Sequence, residues 1–288
     1  MRAELRAVRA LAALVALVPF TSRAQTAPMW RSIDISRQLR DTLPQRIRVQ
    51  YGAGKVDVRS SNDPLLYTMH LKYDEARSTL LHRHDAEQHT TSLGLESVGK
   101  GLNGSSRGND AGELRLSLPR TVPIDLDLEF GGTESTLDLG GMSLQSLRME
   151  CGATDATLLF SQPNRVRMRD LEVNVGAADF SAVHLANANA DQIRVRGGVG
   201  GVDLDFSGVW AHDMNVVSRL VLGKLTLRVP ADVGVRLEVQ RFVTGFEHAG
   251  LEKRDDAWYS PNFESAPHKL RIRAETFFGQ IDVQRTAR

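Results

Sequence analysis

Three aspartates recur in one local phrase: Asp155 in Gly152-Ala153-Thr154-Asp155-Ala156, Asp179 in Gly176-Ala177-Ala178-Asp179-Phe180, and Asp203 in Gly200-Gly201-Val202-Asp203-Leu204. Carboxylates brought side by side can hold a divalent cation, or act in pairs as acid and base on a glycosidic bond. Imidazole offers a second candidate in Leu81-His82-Arg83-His84-Asp85-Ala86-Glu87-Gln88-His89, because residues i and i+2 of a strand share a face and could share a metal. Aromatic chemistry is concentrated in Ala257-Trp258-Tyr259-Ser260-Pro261-Asn262-Phe263. Exposed rings of this kind anchor protein or glycan partners.

Each candidate has a plainer reading. If the phrases stack in register, Asp155, Asp179 and Asp203 fall one above another at ~4.8 Å intervals. Alternation turns them away from the apolar residues, so a solvated outer ladder is preferred over a cation- or glycan-contacting strip. They are the weak candidates for a metal; no metal site, cofactor or catalytic residue is assigned. No aromatic subsite accompanies the carboxylates, and aromatics are 6% of the chain; a glycan-cleaving enzyme is therefore the third choice of function. Arg83 and its polar surroundings make His82, His84 and His89 a solvated hairpin end. Trp258, Tyr259 and Phe263 are the candidate partner-binding residues, although a cap folded over the end of a stack is the preferred reading of that segment. Cys151, the single cysteine, falls on the apolar side of Leu147-Arg148-Met149-Glu150-Cys151 and reads as buried and inert.

The elements that must position these residues are strands. The phrase of glycine, any residue, a small or apolar residue, usually aspartate, and another small or apolar residue also occurs at Gly54-Lys55-Val56-Asp57-Val58 and Gly279-Gln280-Ile281-Asp282-Val283. Copies without the aspartate begin at Gly132 and Gly223. Glycines 132, 152, 176, 200 and 223 are separated by 20, 24, 24 and 23 residues, with period-two strands on either side. A sandwich repeats strands without repeating their residues, whereas stacked coils place equivalent residues over one another. The expected fold is therefore all-β: a single-stack β-solenoid of ~20–24 residue coils, with a small N-terminal strand region and end caps. Within it, residues 33–43 read as a short helix, 46–59 and 65–73 as strands, and the Gly/Ser/Asn-rich stretch 97–112 as a loop. The expected divisions are a signal peptide at 1–24, a strand region at 25–112, and a solenoid at 113–288 continuous with it.

The signal-peptide reading rests on Arg2, Arg6 and Arg9, the apolar run Leu11 to Val18, and the small-residue junction before Gln25, with cleavage near Ala24. The apolar run is too short to span a bilayer, and no later stretch reads as a span in the mature chain. With four arginines and one glutamate removed, 32 basic and 34 acidic residues remain. That balance offers no footprint for nucleic acid. An exported chain with one cysteine has no internal disulfide, so packing and the β-ladder must hold the fold.

Leu118-Pro119 and Val122-Pro123-Ile124-Asp125-Leu126-Asp127, followed by glycine-phrase coils, resemble the adhesin-type domains of bacterial envelope proteins, which are β-solenoids. The stretch from Asn189-Ala190-Asp191-Gln192-Ile193 through Gly223-Lys224-Leu225-Thr226-Leu227-Arg228-Val229-Pro230 to Phe277-Phe278-Gly279-Gln280-Ile281-Asp282-Val283 looks like the C-terminal domain of LiaF-like and toast-rack proteins of the envelope and cell-wall-stress group. The resemblance runs from about Tyr51 onward and carries no catalytic residues. It implies an exported, non-enzymatic, adhesin-like envelope or surface protein in the periplasm or on the cell surface, binding a protein or glycan. The alternative it implies is a stress-signalling component that binds a membrane sensor.

Overall fold

The computed structural model describes residues 28–97 and 112–287. The expected signal peptide and most of the expected loop at 97–112 lie outside the described residues. Among the described residues, fifteen strands form one connected sheet, with a single 3-10 turn at Leu185–Ala188.

Its centre is a ladder of long parallel strands: β2 (Gln45–Ser61), β7 (Pro123–Asp138), β8 (Ser143–Leu159), β9 (Met168–Val183), β10 (Ala190–Asp205) and β11 (Met214–Pro230), each paired in parallel with the next. Chain length dictates their shape. A straight strand of 17 residues such as β8 would extend about 55 Å. The four residues 139–142 that join β7 to β8 reach only about 14 Å. Each strand must therefore fold back on itself so that the next can start beside it.

The bend lies at the glycine phrase. In β8, Leu147, Met149 and Cys151 are buried, then Gly152 and Ala153 are both exposed, and burial resumes at Thr154, Ala156 and Leu158. This one-residue slip of the alternation marks a corner, and it lets both arms of the strand turn their apolar side chains into one continuous core.

The corner is also where rungs approach most closely. The pairing register puts Gly52, Gly131, Gly152, Gly176 and Gly198 in one column. A Cβ added at Gly131 would lie 2.1 Å from the Gly52 carbonyl oxygen, and one at Gly198 would lie 2.3 Å from that of Gly176. Two residues further along, Gly200, Gly223 and Gly279 form a second column. Gly223 has φ +143°, and a Cβ there would meet the Gly200 carbonyl oxygen at 1.8 Å. The repeat is therefore set by two glycine columns. The column partners of Gly152 and Gly176 are Gly131 and Gly198, not the Gly132 and Gly200 expected from the phrase.

The ends differ from the middle. The outer edge of β2 pairs with two separate strands: its first arm with β5 (Thr90–Ser97), hairpinned to β4 (Ser78–Asp85), and its second arm with β6 (Glu113–Pro119). Beyond β6 the sheet continues antiparallel through β3 (Leu65–Asp74) to β1 (Trp30–Gln38). Residues 30–38 are thus a strand where a helix was expected. Ile33 and Ile35 lie opposite Leu71 and Met69, and that period-two packing prevails over helix formation. At the other end the chain departs from sequence order. The last long strand, β15 (Lys269–Thr286), inserts between β11 and β12 (Gly234–His248). β12 ends the ladder, with β14 (Ala257–Tyr259) and β13 (Glu252–Arg254) folded against its start.

Gly223→Ala is expected to lower stability by about 2 kcal/mol or more, since it combines a strained φ with a backbone clash. Gly245→Ala, where the nearest atoms to an added Cβ stand 3.9 Å away, should change it by less than about 0.5 kcal/mol. Urea denaturation of the two variants checks this; equal losses would contradict the corner packing.

Candidate interaction surface

The aspartates do not form the expected column of three. Asp155 and Asp179 are direct cross-strand neighbours, with Glu134 before them, but the residue opposite Asp179 on β10 is Gly201. Asp203 lies two residues further on, opposite Ser181 and Thr226. The cause is the corner of β10, where Asp203 follows the column glycine Gly198 by five positions, whereas Asp179 follows Gly176 by three. Asp179 uses the space left by Gly201, whose backbone N–H donates to its Oδ1 at 3.0 Å. Asp203 bonds Arg228 at 2.6 Å, while its partial burial raises its carboxyl pKa against that cation. Among the described residues, no three metal-ligating side chains converge.

The histidines have separate partners. His82 meets the Tyr67 hydroxyl at 2.6 Å, His84 meets the Thr91 hydroxyl at 2.9 Å, and His89 meets Gln45 at 3.3 Å. The aromatic segment sits over the last rung. Trp258 packs edge-on against Phe246 at 5.2 Å and tilted over His248 at 4.1 Å. Tyr259 contacts Phe263 at 5.1 Å and accepts a hydrogen bond from Arg236, and Phe263 is buried.

The most exposed apolar side chains are elsewhere, on the corner itself. After Gly198 the first column continues as Val221, Phe277 and Phe242; the adjacent column reads Val199, Leu222, Phe278 and Val243. All seven are exposed, Phe242 at 72% and Phe277 at 61%. The three phenylalanine rings lie about 6 Å apart, which makes a contiguous ridge rather than scattered contacts. The sequence signal is a pair of consecutive apolar residues, Val221-Leu222, Phe242-Val243 and Phe277-Phe278, that interrupts strict alternation. Consecutive apolar residues cannot both face the core of a strand, except where a corner turns both outward.

The N-terminal half of the same line is the reverse in shape and charge. Where the ridge has Val, Leu and Phe, rungs β2 to β9 have Gly52-Ala53, Gly131-Gly132, Gly152-Ala153 and Gly176-Ala177. The first residue of each pair, Gly52, Gly131, Gly152 and Gly176, floors a shallow groove of about 1050 Å³ that runs on to Gly198 and is walled by Gln50, Glu129, Glu150, Asn174 and Arg196. The columns beside this groove hold Glu129, Glu150, Glu134, Asp155 and Asp179, with Lys55. Burial works against the charged form of Glu129, but donors from Gln50 and Arg48 outweigh it and hold its pKa below the usual range. Beside the ridge stand Arg196, Arg219, Lys224 and Arg241, with Glu275. The corner line is thus small at one end and bulky at the other, with acids in the columns next to the small end and bases next to the bulky one, most of them ion-paired within the chain: Glu129 with Arg48, Glu150 with Arg148, Arg196 with Glu172, Arg219 with Glu275 and Lys224 with Asp282.

The family model described as the N-terminal domain of toast_rack, DUF2154, matches residues 31–169. These residues are similar to a toast-rack N-terminal domain. The matched stretch runs from β1 to the start of β9 and so carries the corner glycines of β2, β7 and β8; the β9 corner and the ridge lie beyond it. No curated protein matches the chain. A solved structure from Clostridium sporogenes, titled a "putative cell adhesion protein", is similar over 90% of this chain and 100% of its own, at 16% identity and TM-score 0.50. A "putative adhesin" from Bacteroides fragilis is similar over 88% of this chain and 98% of its own, at 11% identity and TM-score 0.43. The first likeness supports the all-β fold of this chain. Among the described residues, no helix is long and apolar enough to cross a membrane.

Burial pushes the Cys151 thiol pKa up to about 12. Native protein at pH 8 should therefore leave Cys151 unmodified by iodoacetamide over hours, and denatured protein should react fully. Mass spectrometry of the native sample checks this, and rapid native alkylation would place the thiol outside the core.

Proposed function

We propose that this chain is an exported, non-enzymatic interaction protein of the cell envelope, adhesin-like in architecture, and that its ladder is a single-stack β-solenoid serving as a rigid display surface. The observation that carries this reading is the apolar ridge on the corner. Seven large side chains held in water by a fixed backbone are what a protein-binding surface requires and what a self-contained fold avoids. Valine, leucine and phenylalanine side chains offer a sugar no hydrogen-bond partner, so the ridge suits an apolar protein face better than a glycan. The adhesion titles of the structural relatives agree in kind with this reading. In it, the strand region 25–112 and the solenoid 113–288 act as one body, and Trp258, Tyr259 and Phe263 close its end or extend the contact. The match to a toast-rack domain keeps a stress-signalling role as the second reading, with a membrane sensor as the partner.

The chain should be recovered from the envelope fraction with Gln25 as its first residue. Phe242→Asp/Phe277→Asp should weaken capture of its envelope partner at least 30-fold, as expected for the loss of about 2 kcal/mol at a contact centre. Quantitative pull-down at graded bait concentrations measures this. An unchanged partner profile would remove the ridge from the binding surface, and a chain retained in the cytoplasm would remove the export reading.

A further inference from the structure

The two halves of the corner line fit each other. We infer that the partner of the ridge is a second copy of this chain, docked antiparallel so that each copy's ridge lies in the other's glycine-floored groove. This inference rests on the proposal that the ridge is a binding surface, and it names the occupant.

Geometry supplies the first argument. Ridge and groove are successive stretches of a single column, Gly52, Gly131, Gly152, Gly176 and Gly198 and then Val221, Phe277 and Phe242. A two-fold axis crossing that line near its middle, perpendicular to the stack, reverses the rung order. It brings bulky rungs of one copy onto small rungs of the other, twice over. This is an isologous contact, which closes at two copies.

Charge supplies the second. The same rotation keeps the corresponding arms of the two copies on the same side. On one side it brings the half bearing Arg196, Arg219 and Arg241 against the half bearing Glu129 and Glu150. On the other it brings the half bearing Lys224 against that bearing Glu134, Asp155 and Asp179. A parallel arrangement would instead oppose acid to acid, bulk to bulk and base to base. Size agrees as well: covering the seven exposed side chains removes about 700 Å² per copy, so two ridges and two grooves reach the range of a specific interface.

Sedimentation equilibrium of the full chain tests the inference. The wild type, beginning at Gln25, is expected at about twice its own monomer mass at tens of micromolar. Phe277→Asp spoils the ridge and Ala153→Trp sets a bulky ring on the corner beside the groove floor, both at exposed positions, and each alone should sediment as a monomer with an unchanged circular dichroism melt. Mixed in equal amounts the two should form a weaker dimer, because the intact ridge of one fits the intact groove of the other. A monomeric wild type at about 100 µM, an Ala153→Trp variant that dimerises like the wild type, or no recovery on mixing would overturn self-pairing. Failure here leaves the interaction-surface reading standing if Phe242→Asp/Phe277→Asp still loses an envelope partner. If neither dimerisation nor capture responds to the ridge variants, both readings fail.

Discussion

The structure depends on close contact between glycine backbones at the corner. Each rung crosses the corner with a glycine carbonyl pressed against the neighbouring glycine, 2.1 to 3.1 Å from where a Cβ would stand. Because this contact repeats in every rung from β2 to β10, the parallel register is fixed at the one point where each strand changes direction. Everything on either arm follows from it: which residues face the core, which face water, and which stand beside one another on the next rung. A one-residue slip anywhere would exchange inside for outside along an arm.

A line that must be glycine or alanine for packing reasons is also a surface feature. Through rungs β2 to β9 it is a trough. From β11 onward the strict column moves two residues along, to Gly200, Gly223 and Gly279. This shift frees the first column for Val221, Phe277 and Phe242, which project where glycines had lain. Trough and ridge are consequences of the same corner, and the change of column is what gives the molecule two chemically opposite ends along one edge. Its carboxylates fit the same description: Asp155 and Asp179 flank the trough, and Asp203 is held by Arg228 on a different column.

Much of the architecture was legible in the sequence, because period-two alternation and recurring glycine both report backbone geometry directly. The all-β class, the parallel stacking of 20 to 24 residue units and the inward placement of Cys151 follow from local pattern. Register did not follow. Aligning the phrases on their first glycines pairs Gly132 with Gly152 and stacks Asp203 on Asp179; the structure pairs Gly131 with Gly152 and Gly201 with Asp179. Neighbouring glycines such as Gly131-Gly132 and Gly197-Gly198 offer equivalent local choices, and only the approach of the next rung distinguishes them. The insertion of β15 ahead of β12 is likewise a long-range decision with no local signature. The ridge is hidden in the sequence because Phe277-Phe278-Gly279 reads as a core strand unless the corner turns both rings outward. Residues 33–43 misled in the opposite sense, since two isoleucines two apart are too few to declare a strand without Met69 and Leu71 opposite.

The register is tested most directly by cross-linking between rungs. In Asp155→Cys/Asp179→Cys the new thiols are direct neighbours on parallel strands about 4.8 Å apart, within the reach of a disulfide. In Asp179→Cys/Asp203→Cys they are displaced by two residues to about 8 Å, beyond it. After mild oxidation and denaturation, thiol titration should find one free thiol in the first variant, that of Cys151, and three in the second. One free thiol in the second variant and three in the first would contradict the column assignment on which the trough and the ridge both rest.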